Sequence, residues 1–135
     1  MTWHFKTTKS PELVVKYLSE MDHFVTIHPV IFKIEPKGDH QYLVHETLKF
    51  GFIPISFTYP VVVQSDAKAM TVSIRATVKK ITQVDLHFKI SRRNDFTEIE
   101  ESIFIKSPLP LKFVMERIFK TQHTKLFENL EEIKG

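Results

Sequence analysis

The alternation of apolar and polar positions predicts a β-rich middle and helical flanks. Between residues 30 and 106 apolar residues recur at every second position, the period of strands with one buried face. Turn-forming residues interrupt this pattern at 36–39, 65–68 and 93–95. Six strands joined by hairpins follow, and residues 2–8 alternate as one further strand. Because hairpins join antiparallel neighbours, we expect a seven-stranded antiparallel sheet.

The last stretch, residues 107–133, changes to the helical period. Ser107 is a predicted N-cap, and Pro108 suits the first turn, where a missing N–H costs little. One face is apolar and comprises Leu111, Met115, Ile118, Phe119, Leu126, Leu130 and Ile133. The opposite side is predicted to carry Lys112, Glu116, Lys120, Thr124, Glu128 and Glu131. An apolar helix face must be covered, and the sheet is the element that can cover it.

Helical signals also follow the first strand. Ser10, Pro11 and Glu12 form a helix start, with a capping hydroxyl, a proline in the first turn and an acid at the positive end of the dipole. A second short helical piece is predicted over residues 23–28, where Pro29 ends it. The chain order is therefore a strand, one or two short helices, six strands and a long helix. The fold class is α+β.

The alternation also predicts which side chains share the inner face of the sheet. The first strand of the hairpin series should place Val30, Phe32 and Ile34 on one face, and a later strand Ile53, Ile55, Phe57, Tyr59, Val61 and Val63. That later strand also contains Pro54 and Pro60, which a strand tolerates at an edge or an irregularity. Two acids, Glu46 and Glu101, fall on inward positions among apolar neighbours.

Length and composition narrow the class of protein. With 135 residues, 42% of them hydrophobic, the chain is expected to form one domain over residues 1–135. No apolar run approaches the ~20 residues of a membrane span, and the N-terminus lacks a secretory signal, so we expect a cytoplasmic protein. The absence of cysteine excludes disulfides, thiolate metal sites and a cysteine nucleophile. The net charge of +3 is spread along the chain, so nucleic acid is not the expected partner.

Seven histidines raise the question of a metal site, but their spacing argues against one. His23 and His28 are five residues apart, which does not place two ligands on one helix face, and His45 and His87 fall on outward strand positions. The three glycines form no phosphate-binding loop, nucleophile elbow or dinucleotide motif. We therefore expect no metal and no cofactor.

The order of elements resembles the helix-grip fold of the START and Bet v 1-like superfamily, also called SRPBCC or polyketide cyclase-like proteins. The stretches that carry the resemblance are residues 10–19 at the first helix, His28 and Pro29 before the second strand, and residues 107–110 leading into the terminal helix. The similarity covers essentially the whole chain. It implies a cavity between the sheet and the C-terminal helix, used in that superfamily for lipids, sterols, polyketides and aromatic compounds.

Polar side chains on inward positions are the first candidates for this cavity. Glu46, Glu101 and Gln122 interrupt apolar faces, and a buried carboxylate is costly unless it is paired or protonated. A shift of strand register, or a place near the cavity mouth, would instead put the glutamates in water. Tyr42 and Tyr59 are candidates for a hydroxyl in the wall. The expected apolar lining, for which plain core packing is the alternative, is Phe57, Phe88, Met115 and Phe119.

Three hypotheses about function remain open at this point. The first is binding or transport of a small hydrophobic molecule, a lipid or an aromatic, polyketide-like compound. The second is a cyclase or dehydratase in which a cavity glutamate acts as general acid or base. The third is a protein-interaction module whose cavity is filled by some of its 12 phenylalanines. Monomer and homodimer are both compatible with the sequence.

Overall fold

Ten elements make up the fold in the computed structural model, which describes residues 1–50, 52–108, 110 and 112–134. In chain order they are β1 (Thr2–Thr7), α1 (Pro11–Ser19), α2 (Met21–Ile27), β2 (Ile31–Gly38), β3 (Gln41–Phe50), β4 (Ile53–Asp66), β5 (Thr71–Val78), β6 (Thr82–Arg92), β7 (Thr97–Lys106) and α3 (Lys112–Glu131). The predicted α+β architecture is confirmed.

The seven strands form one antiparallel sheet in the order β1-β7-β6-β5-β4-β3-β2. Consecutive strands from β2 to β7 are neighbours, as short hairpins require, and β1 closes the far edge beside β7. The helices α1 and α2 carry the chain from β1 to β2. The predicted start of α1 is confirmed, because Ser10 Oγ accepts a hydrogen bond from the Leu13 backbone N–H at 3.2 Å.

The C-terminal half of α3 is the part that packs tightly against the sheet. Leu126, Phe127 and Leu130 are buried there. The Phe127 ring contacts Phe5 of β1, with ring centroids 4.6 Å apart, and Phe88 of β6 at 6.3 Å. The helix therefore bridges strands that lie apart in the sequence, as the apolar face predicts.

The start of α3 differs from the prediction. The helix begins at Lys112 and not near Ser107, whose hydroxyl lies 2.9 Å from that of Thr82 on β6. Proline disfavours helical backbone at the residue before it, and residues 108 and 110 are both prolines. Leu111, predicted on the apolar face, lies outside the described residues. Within the described part of the chain, no helix is long and apolar enough to cross a bilayer.

One predicted outward residue of α3 is buried. Glu116 is 5% exposed, although the helical period predicts it on the polar side of the helix. Steps of three and four residues lead from it to Phe119 and His123, so it shares their face. The stripe that faces the sheet is thus rotated toward Glu116 and His123.

The predicted face of β2 is also wrong in part. Phe32 is 60% exposed, whereas Ile31 is buried and Ile34 is partly buried. The pairing of β2 with β3 shifts register between Ile31 and Lys33. Such a bulge adds a residue to one strand, so both isoleucines reach the inner face and Phe32 turns outward.

The two halves of β4 have different neighbours. Its pairing with β5 starts only at Val61, opposite Ala76, so residues 53–60 pair with β3 alone. This explains how Pro54 and Pro60 fit into a strand inside the sheet, because one side of that segment is an edge. It also explains why Ile53 and Ile55, predicted to face inward, are 65% and 45% exposed.

We expect Leu126→Ala to lower the free energy of unfolding by about 2 to 5 kcal/mol, because it removes a fully packed side chain between α3 and the sheet. Urea denaturation of the two proteins measures the difference. Lys125→Ala is the matched control, since this neighbouring side chain is 59% exposed and its loss should change stability by less than about 0.5 kcal/mol. A loss below about 1 kcal/mol for Leu126→Ala would contradict the packing described here.

Candidate functional site

A cavity of about 370 Å³ separates the N-terminal half of α3 from the sheet. Its walls come from strands β2 to β6, from α2 and the residue that follows it, and from the first three turns of α3. Most of the wall is apolar. The predicted cavity between sheet and C-terminal helix is therefore present in the fold.

The cavity opens beside the turn between β5 and β6. Lys79 and Ile81, in the turn between β5 and β6, lie in the wall and are also exposed, and so is Val114 at the start of α3. The opening thus has an apolar rim with a lysine. His123, deeper in the wall, is nine residues beyond Val114, about 14 Å along the helix axis.

Six of the nine predicted cavity residues line this wall. They are Glu46, Phe57, Tyr59, Met115, Phe119 and Gln122. The other three lie elsewhere. Phe88 is buried between Phe127 and His123, Tyr42 is partly buried at the far end of β3, and Glu101 is fully buried behind His123. Phe88 thus takes part in core packing, the alternative that the sequence left open.

Glu46 and Tyr59 form a buried pair in the cavity wall. The Tyr59 hydroxyl donates to Glu46 Oε1 at 2.6 Å, across the β3–β4 pairing. Burial raises the pKa of Glu46, while the hydrogen bond from Tyr59 and the nearby His123 oppose this in part. Burial and the neighbouring Glu46 also raise the pKa of Tyr59 well above its usual range. The tyrosine therefore stays a phenol.

His28 is a wall residue with a fixed hydrogen-bonding pattern. Its Nδ1 accepts from the backbone N–H groups of Val30 and Ile31, at 3.2 and 3.1 Å. The proton of the neutral ring must then be on Nε2. Burial and, to a smaller extent, the nearby His123 lower the pKa of His28 to about 3, so the His28 ring stays neutral at ordinary pH.

His123 and Glu101 form the second buried pair. His123 Nδ1 lies 2.5 Å from Glu101 Oε2, which ties α3 to β7. A carboxylate can only accept, so the ring donates from Nδ1 and its Nε2 remains for the cavity. Glu101 Oε1 has no hydrogen-bond partner among the described residues.

His28 and His123 line the cavity but are not among the predicted cavity residues. The spacing of His23 and His28 argues against a metal site and gives no other reason to select either histidine. A signal was present for His123, which lies four residues after Phe119 and three before Leu126, on the buried face of the helix. For His28 the sequence contains no such signal, because its partners are the backbone N–H groups of residues 30 and 31, beyond the end of α2.

One group of side chains outside the cavity has the spacing of metal ligands. The ligand atoms of Glu20, Asp22 and His23 lie within 4.8 Å of one another at the junction of α1 and α2. Both carboxylates are exposed to solvent, and surface clusters of this kind are common without an ion. We assign no metal to it.

No protein-family model matches the sequence, and a search of curated proteins also finds no match. Solved structures do match over nearly the whole chain. A START superfamily protein from Mycobacterium smegmatis has a TM-score of 0.70 at 13% identity, covering 97% of this chain and 93% of that protein. Norcoclaurine synthase from Thalictrum flavum has a TM-score of 0.70 at 13% identity, covering 98% and 83%.

A third match is to one part of a larger protein. The di-domain ARO/CYC protein BexL, from the BE-7585A biosynthetic pathway, has a TM-score of 0.76 at 11% identity, covering 97% of this chain and 46% of that one. Similarity at such low identity establishes the fold alone. The chain has the helix-grip fold of START and Bet v 1-like proteins, as the order of its elements predicted.

We expect the free energy of unfolding of the native protein to fall as pH rises because of Glu46, and we expect Glu46→Gln to abolish this contribution. An acid with a raised pKa keeps its proton in the folded protein after the unfolded chain has lost it near pH 4.5, so stability falls as pH rises through the folded pKa. Glutamine carries no charge and still accepts from Tyr59. The stability of the variant relative to the native protein, from urea denaturation, should therefore increase between pH 4 and pH 7.

Glu131→Gln is the control of opposite sign. Hydrogen bonds from Thr7 and Thr8 lower the pKa of Glu131, so its contribution is present above about pH 4.5 and is lost as pH falls through the folded pKa. The relative stability of this variant should decrease as pH rises toward 5. A pH-independent difference for Glu46→Gln would mean that its carboxyl is not held in a low-dielectric wall.

Proposed function

We propose that this protein binds a small, mostly apolar molecule with one polar group, held between the sheet and α3, and acts as a carrier or receptor for it. The observation that carries the proposal is the cavity of about 370 Å³ with mostly apolar walls. A polar cluster in the wall consists of His28, Glu46, Tyr59, Gln122 and His123. Apolar burial would supply most of the affinity, and the cluster would orient the ligand.

The dimensions of the cavity indicate the size of the ligand. The wall formed by α3 extends about 14 Å from Val114 at the mouth to His123. This length and volume suit a fused-ring compound or a short-chain lipid and are small for a two-chain phospholipid. Entry would take place beside the turn between β5 and β6.

The polar cluster supports a ligand with a hydrogen-bonding end. Among the described residues, none hydrogen-bonds the Gln122 amide, His28 Nε2 or His123 Nε2, although all three residues line the cavity. Polar groups in a protein interior are normally paired. A polar ligand atom at this end of the cavity would pair with them.

The open volume also bears on the third hypothesis, a filled cavity. Phe24, Phe57 and Phe119 lie in the wall and leave about 370 Å³ between them. The interior is therefore not filled by phenylalanine side chains in this structure. This favours a ligand over an interaction module with a solid core.

We expect native mass spectrometry of the freshly purified protein to show a bound small molecule that leaves on denaturation and is recovered by organic extraction. Ala76→Phe, which fills the cavity from β5, should lower the bound fraction at least tenfold. Ala67→Phe makes the same change in an exposed turn and should not alter it. Equal loading of the two variants, or a ligand-free protein that binds no fluorescent aromatic or lipid probe, would contradict the proposal.

The Glu46–Tyr59 pair favours a second candidate, an enzyme that moves a proton on a carbonyl compound. A carboxyl whose pKa burial raises keeps its proton nearer to neutral pH and can act as general acid or base. Two of the similar structures are called norcoclaurine synthase and ARO/CYC, which are names of enzymes. In such an enzyme, Glu46 would exchange one proton with the carbonyl compound. His123, held by Glu101, would exchange a second one.

We expect Glu46→Gln and Glu101→Gln to separate the two candidates. If the protein is an enzyme, each change should lower turnover of the extracted compound at least 100-fold while binding stays within about threefold, because glutamine keeps the shape but cannot transfer the proton. Glu100→Gln, next to Glu101 on β7, is the control. No conversion of the compound by the native protein would leave binding as the function.

A further inference from the structure

The two cavity histidines present opposite hydrogen-bonding groups. His28 Nδ1 is occupied by two backbone N–H groups, so its Nε2 carries the proton and donates. His123 Nδ1 donates to Glu101, so the Nε2 of the neutral ring has a free lone pair and accepts. Each assignment follows from the partner on the other side of the ring.

The two rings are neighbours in the wall of the cavity. Their centroids are 6.3 Å apart, with the ring planes nearly perpendicular at 82°. One polar group of a ligand at this end of the cavity can therefore contact both rings.

The chemistry of the pair selects among polar groups. A carbonyl oxygen accepts but cannot donate, and would leave His123 Nε2 unpaired. An ammonium donates but cannot accept, and would leave the His28 N–H unpaired. A carboxylate would bring a negative charge toward Glu46 and Glu101, which face the same cluster. A hydroxyl both accepts and donates.

We propose that the ligand of this cavity carries a hydroxyl group, phenolic or alcoholic, whose oxygen accepts a hydrogen bond from His28 Nε2 and whose proton is donated to His123 Nε2. This inference rests on the proposed function and names the polar end of the ligand. Glu101 is a positioning residue, because its carboxylate fixes which nitrogen of His123 faces the cavity.

The test compares bicyclic probes of similar size that differ in the polar group or in the saturation of the rings. Isothermal titration calorimetry at pH 8 measures the affinities of 2-naphthol, decahydro-2-naphthol, 2-methoxynaphthalene and 2-acetonaphthone for the native protein, freed of any bound compound. We expect at least one of the two hydroxyl compounds to bind at least tenfold tighter than both the ether and the ketone, since these leave a buried group unpaired. The stronger of the two hydroxyl compounds distinguishes a phenol from an alcohol.

His28→Asn is the variant that isolates the donor. The asparagine oxygen can accept the backbone N–H groups of residues 30 and 31, as in an Asx turn, while the donor toward the cavity is lost. We expect the tenfold preference for the hydroxyl compound to disappear. His87→Asn makes the same change on the exposed face of β6 and should keep it.

Each outcome decides between the two proposals. Equal affinity for hydroxyl compound and ether, or tightest binding of the ketone, overturns the hydroxyl assignment and leaves the cavity as a binding site. Retention of the preference in a folded His28→Asn protein also overturns it. Binding of none of the four probes, together with an empty organic extract, overturns both proposals.

Discussion

The structure depends on the burial of one face of α3 by a sheet that curves around it. A sheet of seven strands twists, so a straight helix cannot stay in contact with it along its whole length. The C-terminal half keeps contact through Leu126, Phe127 and Leu130. Over the N-terminal half the two surfaces diverge, and the cavity occupies the space between them.

The separation of β4 from β5 also shapes the wall of the cavity. Residues 53–60 continue along β3 after the pairing with β5 has ended, and this opens the wall beside α3. Pro54 and Pro60 lie in this segment, where they cannot donate to a further strand. The two prolines therefore mark this edge in the sequence, and the edge lies beside the cavity wall formed by Phe57 and Tyr59.

Most of the fold could be predicted from the sequence because both periods are local properties. The period of two located the strands, and Ser10 with Pro11 located the first helix start. The errors arise where a longer-range contact decides the outcome. A bulge turned Phe32 outward, which no alternation reveals, and α3 begins at Lys112, after two prolines, and not near Ser107.

The candidate site could be predicted only in part, since it joins residues from five places in the chain. An inward glutamate is visible in a strand pattern, and Glu46 does line the cavity. Whether such a residue faces the cavity or a partner behind its wall depends on what the opposite element supplies. Glu101 has an equally inward pattern, but His123 on α3 covers it, and the sequence contains no sign of that pairing.

The Glu101–His123 pair lies at the boundary between the packed half of α3 and the half that lines the cavity. Removing a carboxylate and a histidine from water costs free energy that their mutual hydrogen bond only partly returns, so the Glu101–His123 pair is weak support for stability. An apolar pair of similar size would hold α3 to β7 at least as well. The pair lies where the packed half of the helix meets the cavity half, and one of its rings faces the cavity. Its position therefore makes sense as the end of a binding site, with the rigid half of α3 behind it as the support that keeps the ring in place.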